Sequence, residues 1–184
     1  PLYQNDRITG IALCFHDLDE EENRPLEDMH AAVTDEETGF LNYRGMVMAG
    51  LRYADTFRLY GDDYTATLID VPEFDAIGLT YGQEFRRHLL QKVTGILTQY
   101  LPSTITISHI GSCCFLAFTK ALILKELDGQ IQLLARRIHA ITQVEGYPCT
   151  LYLQYALARG SECQNLDNLL SLLTERLKEA REER

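Results

Sequence analysis

Residues 104–118, TITISHIGSCCFLAF, set two runs rich in Ile, Thr and Phe on either side of Gly-Ser. Such runs joined across a turn signal predict a β-hairpin, here strands 104–109 and 113–118 with the tip at Gly111-Ser112. The flanking segments carry a helical period instead. Phe85, Leu89, Val93 and Leu97 recur at that spacing before the hairpin, and Pro102 closes their segment. Leu127, Ile131, Leu134, Ile138 and Ile141 recur so after it. A hairpin pairs its own strands antiparallel, so a sheet containing it is not the all-parallel sheet of a doubly wound fold.

The remaining elements follow the same logic. A helix is predicted from Asn42 to about Tyr60, ended by Gly61. Residues 64–71, YTATLIDV, alternate and are rich in Thr, Ile and Val, which predicts a strand. Pro148 precedes a predicted strand over 149–158, with Leu151, Leu153, Tyr155 and Leu157 on one face. Leu166, Leu169, Leu170, Leu173 and Leu177 mark a last helix with a charged tail over 175–184. From Asn42 the predicted order is α-β-α-β-β-α-β-α, an α/β sandwich with a mixed central sheet. Upstream, 8-ITGIALCFHDLD-19 begins as a strand, the acidic run 17–23 follows, and Pro25 opens a short helix marked by Leu26, Met29 and Val33.

Composition narrows the function classes. An apolar content of 46% and a charged content of 24% suit a soluble globular chain, read as cytoplasmic. No apolar run approaches the roughly 20 residues that span a bilayer, and no signal peptide is expected, so a membrane link would come through a region upstream of Pro1. The net charge of −10 argues against binding a phosphate backbone, and the pairs Arg86-Arg87 and Arg136-Arg137 are too small for that footprint. The five cysteines, Cys14, Cys113, Cys114, Cys149 and Cys163, include no Cys-x-x-Cys pair. Neighbours on a strand point to opposite faces, so Cys113 and Cys114 are poorly placed to share a metal. Reduced, mostly buried thiols are expected.

Four motifs in order carry a family resemblance. Residues 35–45, DEETGFLNYRG, resemble the opening Asp-x-Leu-Thr-Gly-Leu-x-Asn-Arg-Arg of GGDEF domains, with Asp35, Thr38, Gly39, Leu41, Asn42 and Arg44 matching. Residues 68–74, LIDVPEF, resemble the strand-end motif Asp-x-Asp-x-Phe-Lys. Tyr81-Gly82 falls where the family has Tyr-Gly-His, and 110–118, IGSCCFLAF, takes the place of the signature. The resemblance covers residues 35–184 and implies a GGDEF, nucleotide-cyclase-like α/β sandwich whose hairpin carries the signature. Asp17-Leu18-Asp19 resembles the Asp-Ile-Thr that closes PAS sensor domains. The implied organisation is the end of a PAS-like sensor over 1–20, a linker helix over 21–34 and a degenerate GGDEF domain over 35–184.

The family's activity is diguanylate cyclisation: two GTP molecules, each presented by one domain, become cyclic di-GMP with Mg²⁺ held by oxygen ligands. Carried over residue by residue, the resemblance implies that this apparatus is lost. Asp70 matches the first Asp of the strand motif and is the vestigial metal ligand, while Pro72 replaces the second Asp. In the signature, Gly111, Ser112 and Phe115 keep the scaffold, and Cys113 and Cys114 replace the two acids. Thiols are soft donors and poor Mg²⁺ ligands. Asp75 stands where a Lys steadies the triphosphate, Gly78 where an Asn reads guanine, and Arg87 where an Asp does. Arg181 falls near a second phosphate-binding Lys, and the inhibition motif Arg-x-x-Asp would fall at Pro102 and Ile105 and is absent. Asp75 and Arg87 are candidates for an ion pair in the former pocket. The expectation is a catalytically inactive signalling module without a cofactor, acting through a homodimer or another signalling protein. The alternative is a residual Mg²⁺-dependent cyclase or a nucleotide-binding module for GTP or cyclic di-GMP.

Overall fold

The computed structural model describes residues 2–4, 7–10, 32–120 and 124–182. The chain divides into two compact units, residues 1–30 and 31–184. In the first, β1 (Leu2–Gln4) and β2 (Arg7–Gly10) pair antiparallel, so the start of the predicted amino-terminal strand lies in a hairpin of its own chain. The rest of that strand and the helix predicted from Pro25 lie outside the described residues up to Ala31, and Val33 sits in a turn.

The second unit runs α1 (Tyr43–Tyr60), β3 (Tyr64–Asp70), α2 (Phe74–Tyr81), α3 (Gln83–Tyr100), β4 (Thr106–Gly111), β5 (Cys114–Lys120), α4 (Leu124–His139), β6 (Gln143–Val144), β7 (Tyr147–Pro148), β8 (Gln154–Arg159) and α5 (Leu166–Glu182). The central sheet has the order β4-β5-β3-β8, and all three pairings are antiparallel. The expected mixed sheet is therefore antiparallel in its named strands, with a parallel component in the isolated bridge between Leu41 and Ser108.

Alternation along the strands builds two apolar layers. Ile69, Phe115 and Ala117 face α2, α3 and α4, and pack on Phe74, Leu89, Val93, Ile131 and Leu134. Ala66, Leu68, Leu116, Phe118, Ala156 and Ala158 face α1 and α5, and pack on Met46, Ala49, Leu169 and Leu173. The central strand β3 is buried on both sides through Ile69, as its near-continuous apolar and Thr sequence requires.

Local signals set the ends of α1. Asn42 caps it by accepting from the Gly45 N–H at 3.0 Å, and Gly61, at φ 74°, closes it in the left-handed region. Two elements go beyond the predicted order. Helix α2 adds a turn-rich segment packed through Phe74 and Gly78. The small β6–β7 hairpin turns through Glu145 and Gly146, both at positive φ. The strand predicted over 149–158 joins the ladder at Gln154, although Leu151 and Leu153 are buried as expected.

Candidate functional site

The motif positions gather at one end of the sheet, where β3 ends and the β4–β5 hairpin turns. Gly111 pairs with Cys114, so the two turn residues are Ser112 and Cys113, one place later than the sequence suggested. Gly111 at φ 127° and Ser112 at φ 49° carry the backbone through the turn, and the register shift between His109 and Gly111 bends the strand before it.

The two cysteines lie on opposite sides of the sheet. Cys113 is fully buried in the layer of α2, α3 and α4, and its carbonyl accepts from the Val71 N–H at 3.3 Å. Cys114 faces α1 and α5. Burial, then the charge on Asp70, push both thiols up, Cys114 to about 12. Both are therefore protonated at neutral pH, and neither is poised as a thiolate nucleophile.

Asp70 ends β3 directly between Cys114 on β5 and Gln154 on β8. Its Oδ2 accepts from Nη2 of Arg181, which reaches in from the last turn of α5. Nε of Arg181 donates to Gln154 Oε1 at 2.6 Å, so one guanidinium binds two neighbouring strands. Burial raises the Asp70 carboxyl above its ordinary value; the Arg181 charge opposes this and the Glu73 charge adds to it. Glu73 is itself engaged, accepting from the Tyr152 N–H at 3.3 Å.

Asp75 and Gly78, on α2, lie on the other face. Arg86 on α3 lays its side chain across α2, with its guanidinium carbon 5.0 Å from the centre of the Phe74 ring. A Cβ added at Gly78 would come within 3.2 Å of Cγ and Cδ of Arg86, so this arginine fills the space that the missing side chain leaves. Asp75 has Arg86 as its ionic partner, at 3.9 Å. The expected Asp75–Arg87 pair is replaced: Arg87 is exposed and lies 3.9 Å from Glu84, one helical turn away. The helical phase decides this, since of two adjacent arginines on α3 only one can face α2.

The structure thus brings Asp70, Cys114 and Arg181 together on one face and Asp75 and Gly78 together on the other, the face on which Cys113 is buried. Arg86, Gln154 and Glu73 complete these contacts and were not singled out from sequence as site residues. Gln154 is legible only through the β3–β8 register, and Arg86 only through the turn at Gly82 that folds α3 back on α2.

The donor set does not fit Mg²⁺. That ion wants several oxygens at near-octahedral positions, whereas Asp70 is paired with Arg181 and the two signature side chains are protonated thiols. Among the described residues, no group of three or more His, Cys, Asp or Glu could hold a metal ion. An open groove of about 360 Å³ lined by Lys92, Tyr100, Arg137 and Gln143 contains none of the motif residues. No helix among the described residues is long and apolar enough to cross a membrane.

The chain matches no sequence-family model and no curated protein. Solved structures do resemble it. The diguanylate cyclase SiaD of Pseudomonas aeruginosa, solved with its activator SiaC, superposes with a TM-score of 0.77 at 14% identity over 86% of this chain. This chain spans 61% of the SiaD chain. The coiled coil and GGDEF domain of DgcB from Caulobacter crescentus, solved with c-di-GMP, gives 0.79 at 11% identity over 86% of this chain and 85% of that one. The FimX GGDEF domain of Pseudomonas aeruginosa gives 0.76 at 13% identity over 83% of this chain and 95% of that one. At such identities the likeness is one of fold, and the fold of this chain's larger unit is that of the GGDEF domain.

Proposed function

We propose that this chain is a signalling module of the GGDEF fold that acts in cyclic di-GMP signalling without making cyclic di-GMP. It is read as following the end of a PAS-like sensor over residues 1–20, and as acting by dimerising or by docking to another signalling protein. The reading is supported by where two of the chain's own arginines lie. Arg181 pairs with Asp70, which the family resemblance makes the metal ligand, and Arg86 packs beside Gly78, which the resemblance puts at a base-reading position. Phosphoryl transfer depends on positioning and on neutralising charge at the transferred group. A guanidinium fixed on the metal carboxylate supplies neither an open coordination position nor a bound water.

The test is a product assay with GTP and Mg²⁺, run beside a melting screen against GTP, cyclic di-GMP and Mg²⁺. No cyclic di-GMP is expected from the wild-type chain, and Mg²⁺ alone is expected to leave the melting temperature unchanged. Sustained conversion of GTP to cyclic di-GMP that falls on Asp70→Ala would refute the reading.

A further inference from the structure

Helix α1 buries one side and leaves the other in solvent. Met46, Ala49 and Gly50 are buried, and a Cβ added at Gly50 would strike Leu166 and Phe118, so that side is closely packed. Helical spacing puts residues 44, 48, 51, 52, 55 and 59 on the opposite stripe, and all six are exposed. A solvated stripe is ordinarily polar. Here Met48, Leu51 and Leu59 are 57%, 49% and 67% exposed, and Tyr43 and Tyr60 are exposed at the two ends of the helix. Half of the exposed large apolar side chains among the described residues lie on this one helix. Single apolar residues scattered over a surface need no explanation, but a run of them along one helix marks a contact surface.

The charges along that stripe point to what covers it. The chain's net charge is −10, yet α1 carries Arg44, Arg52 and Arg58 against Asp55 alone. Arg58 pairs with Asp55 Oδ1 at 2.9 Å within the helix, whereas Arg44 and Arg52 have no ionic partner among the described residues. Asp62, also exposed, follows the helix by two residues. Basic residues thus lead the stripe and acidic ones end it. Turned end for end about a point midway between Arg52 and Asp55, two copies of α1 set each Arg52 against Asp55 of the other copy. The same operation sets Met48 against Leu59 and brings Arg44 beside Asp62. A parallel pairing would align Arg52 with Arg52 and Asp55 with Asp55, and like charges so placed repel.

We infer that the exposed stripe of α1 docks a second copy of this chain, antiparallel and about a two-fold axis. Met48, Leu51 and Leu59 form the apolar centre of that contact, and the two Arg52–Asp55 pairs flank it. The helix of 18 residues spans about 27 Å. A pair of that length suits an interface at the low end of specific ones, roughly 1,200 Å² in total, and hence a reversible dimer of micromolar affinity. The inference rests on the reading of the chain as a module that acts through a protein partner, and it names that partner and its surface. It does not depend on the loss of turnover, so a failed association test leaves the product assay to stand or fall by itself.

Sedimentation velocity of the full chain, from about 1 to about 100 µM, tests the contact. A dimer is expected to fill toward the upper concentrations. Met48→Glu and Leu51→Glu replace exposed side chains, so the circular dichroism spectrum should not change, while each should weaken the dimer at least about tenfold. Arg52→Asp and Asp55→Arg should each weaken it too. The variant carrying both should restore it, because the exchanged charges meet again across the axis. A wild-type chain that stays monomeric overturns the inference, as does a dimer that Leu51→Glu leaves intact or a charge exchange that restores nothing. Hydroxyl-radical oxidation of Met48 then tells the other occupants apart. A monomer with Met48 protected gives the stripe to the chain's own residues 1–30, and a monomer with Met48 freely oxidised leaves it to a different protein; either result overturns the second copy.

Discussion

The side chain of Cys113 lies fully buried among the apolar residues between the sheet and α2, α3 and α4. A carboxylate there would lose its hydration without an unengaged cation to receive it, since Arg86 already packs on Phe74 and pairs with Asp75. Cys113→Asp should therefore destabilise the fold by about 3 kcal/mol, read as a lower urea midpoint. An unchanged midpoint would mean that the position can hold an acid after all. The raised thiols make a second prediction. In the native protein Cys113 and Cys114 should resist alkylation at neutral pH, and should label fully once the chain is unfolded, as read by peptide mass spectrometry. Arg181→Ala removes the guanidinium from a half-buried carboxylate. The charged hydrogen bond is partly solvent-screened because Arg181 is 42% exposed, so the expected cost is about 1 kcal/mol. Asp70 is already raised in the fold, and such a group loses stability as pH rises through its folded value. The cost of Arg181→Ala should therefore be larger at neutral pH than in acid.

Among the elements, α1 was legible because both its ends are written in side chains. Asn42 does more than cap the helix: its Nδ2 also donates to the Ala32 and Thr34 carbonyls, each at 3.2 Å. Asn42→Ala should lower stability by about 2 kcal/mol, at the upper end for a cap, measured by denaturant unfolding. Helix α2 was not legible, because in eight residues bounded by Pro72 and Gly82 the turn signals outweigh a short period. The β6–β7 hairpin, with two residues a side, gives no alternation to read. The late start of β8 has a plain cause: Asp70, the last residue of β3, pairs with Gln154, so residues 149–153 have no β3 residue opposite them. Their side chains still follow the predicted face, because burial of Leu151 and Leu153 depends on direction rather than on ladder bonds. At Gly78 the element explains the residue. Gly78→Asn would press its new Cβ into Arg86 and should destabilise the protein, and Arg86→Ala in the same chain should relieve that loss.

Across the whole molecule, acid stability should follow the paired carboxylates. Asp35 and Glu162 both sit below their ordinary values of 3.8 and 4.5. The Arg176 guanidinium does this for Glu162. A lowered carboxyl contributes stability above its unfolded value and loses it as pH falls through the folded one. Thermal midpoints should therefore drop as pH falls below about 4, and the Asp35→Asn, Glu162→Gln double variant should flatten that drop. The sequence by itself determined the architecture. Helical and strand periods, the caps and the central hairpin all lie within a few residues of one another, and local spacing dictates which face is buried. It also shows that residues 104–118, which form the hairpin, contain no Asp or Glu. What only the tertiary structure decided is which charged groups meet around the hairpin and the end of β3. Arg181 meets Asp70 across 111 positions of chain, and Arg86 rather than its neighbour Arg87 turns onto Gly78. His109 meets Asp35 through a loop that pairs with the edge of β4. Such contacts depend on strand register, helical phase and the packing of helices on the two faces, and no local spacing encodes which charged group arrives there.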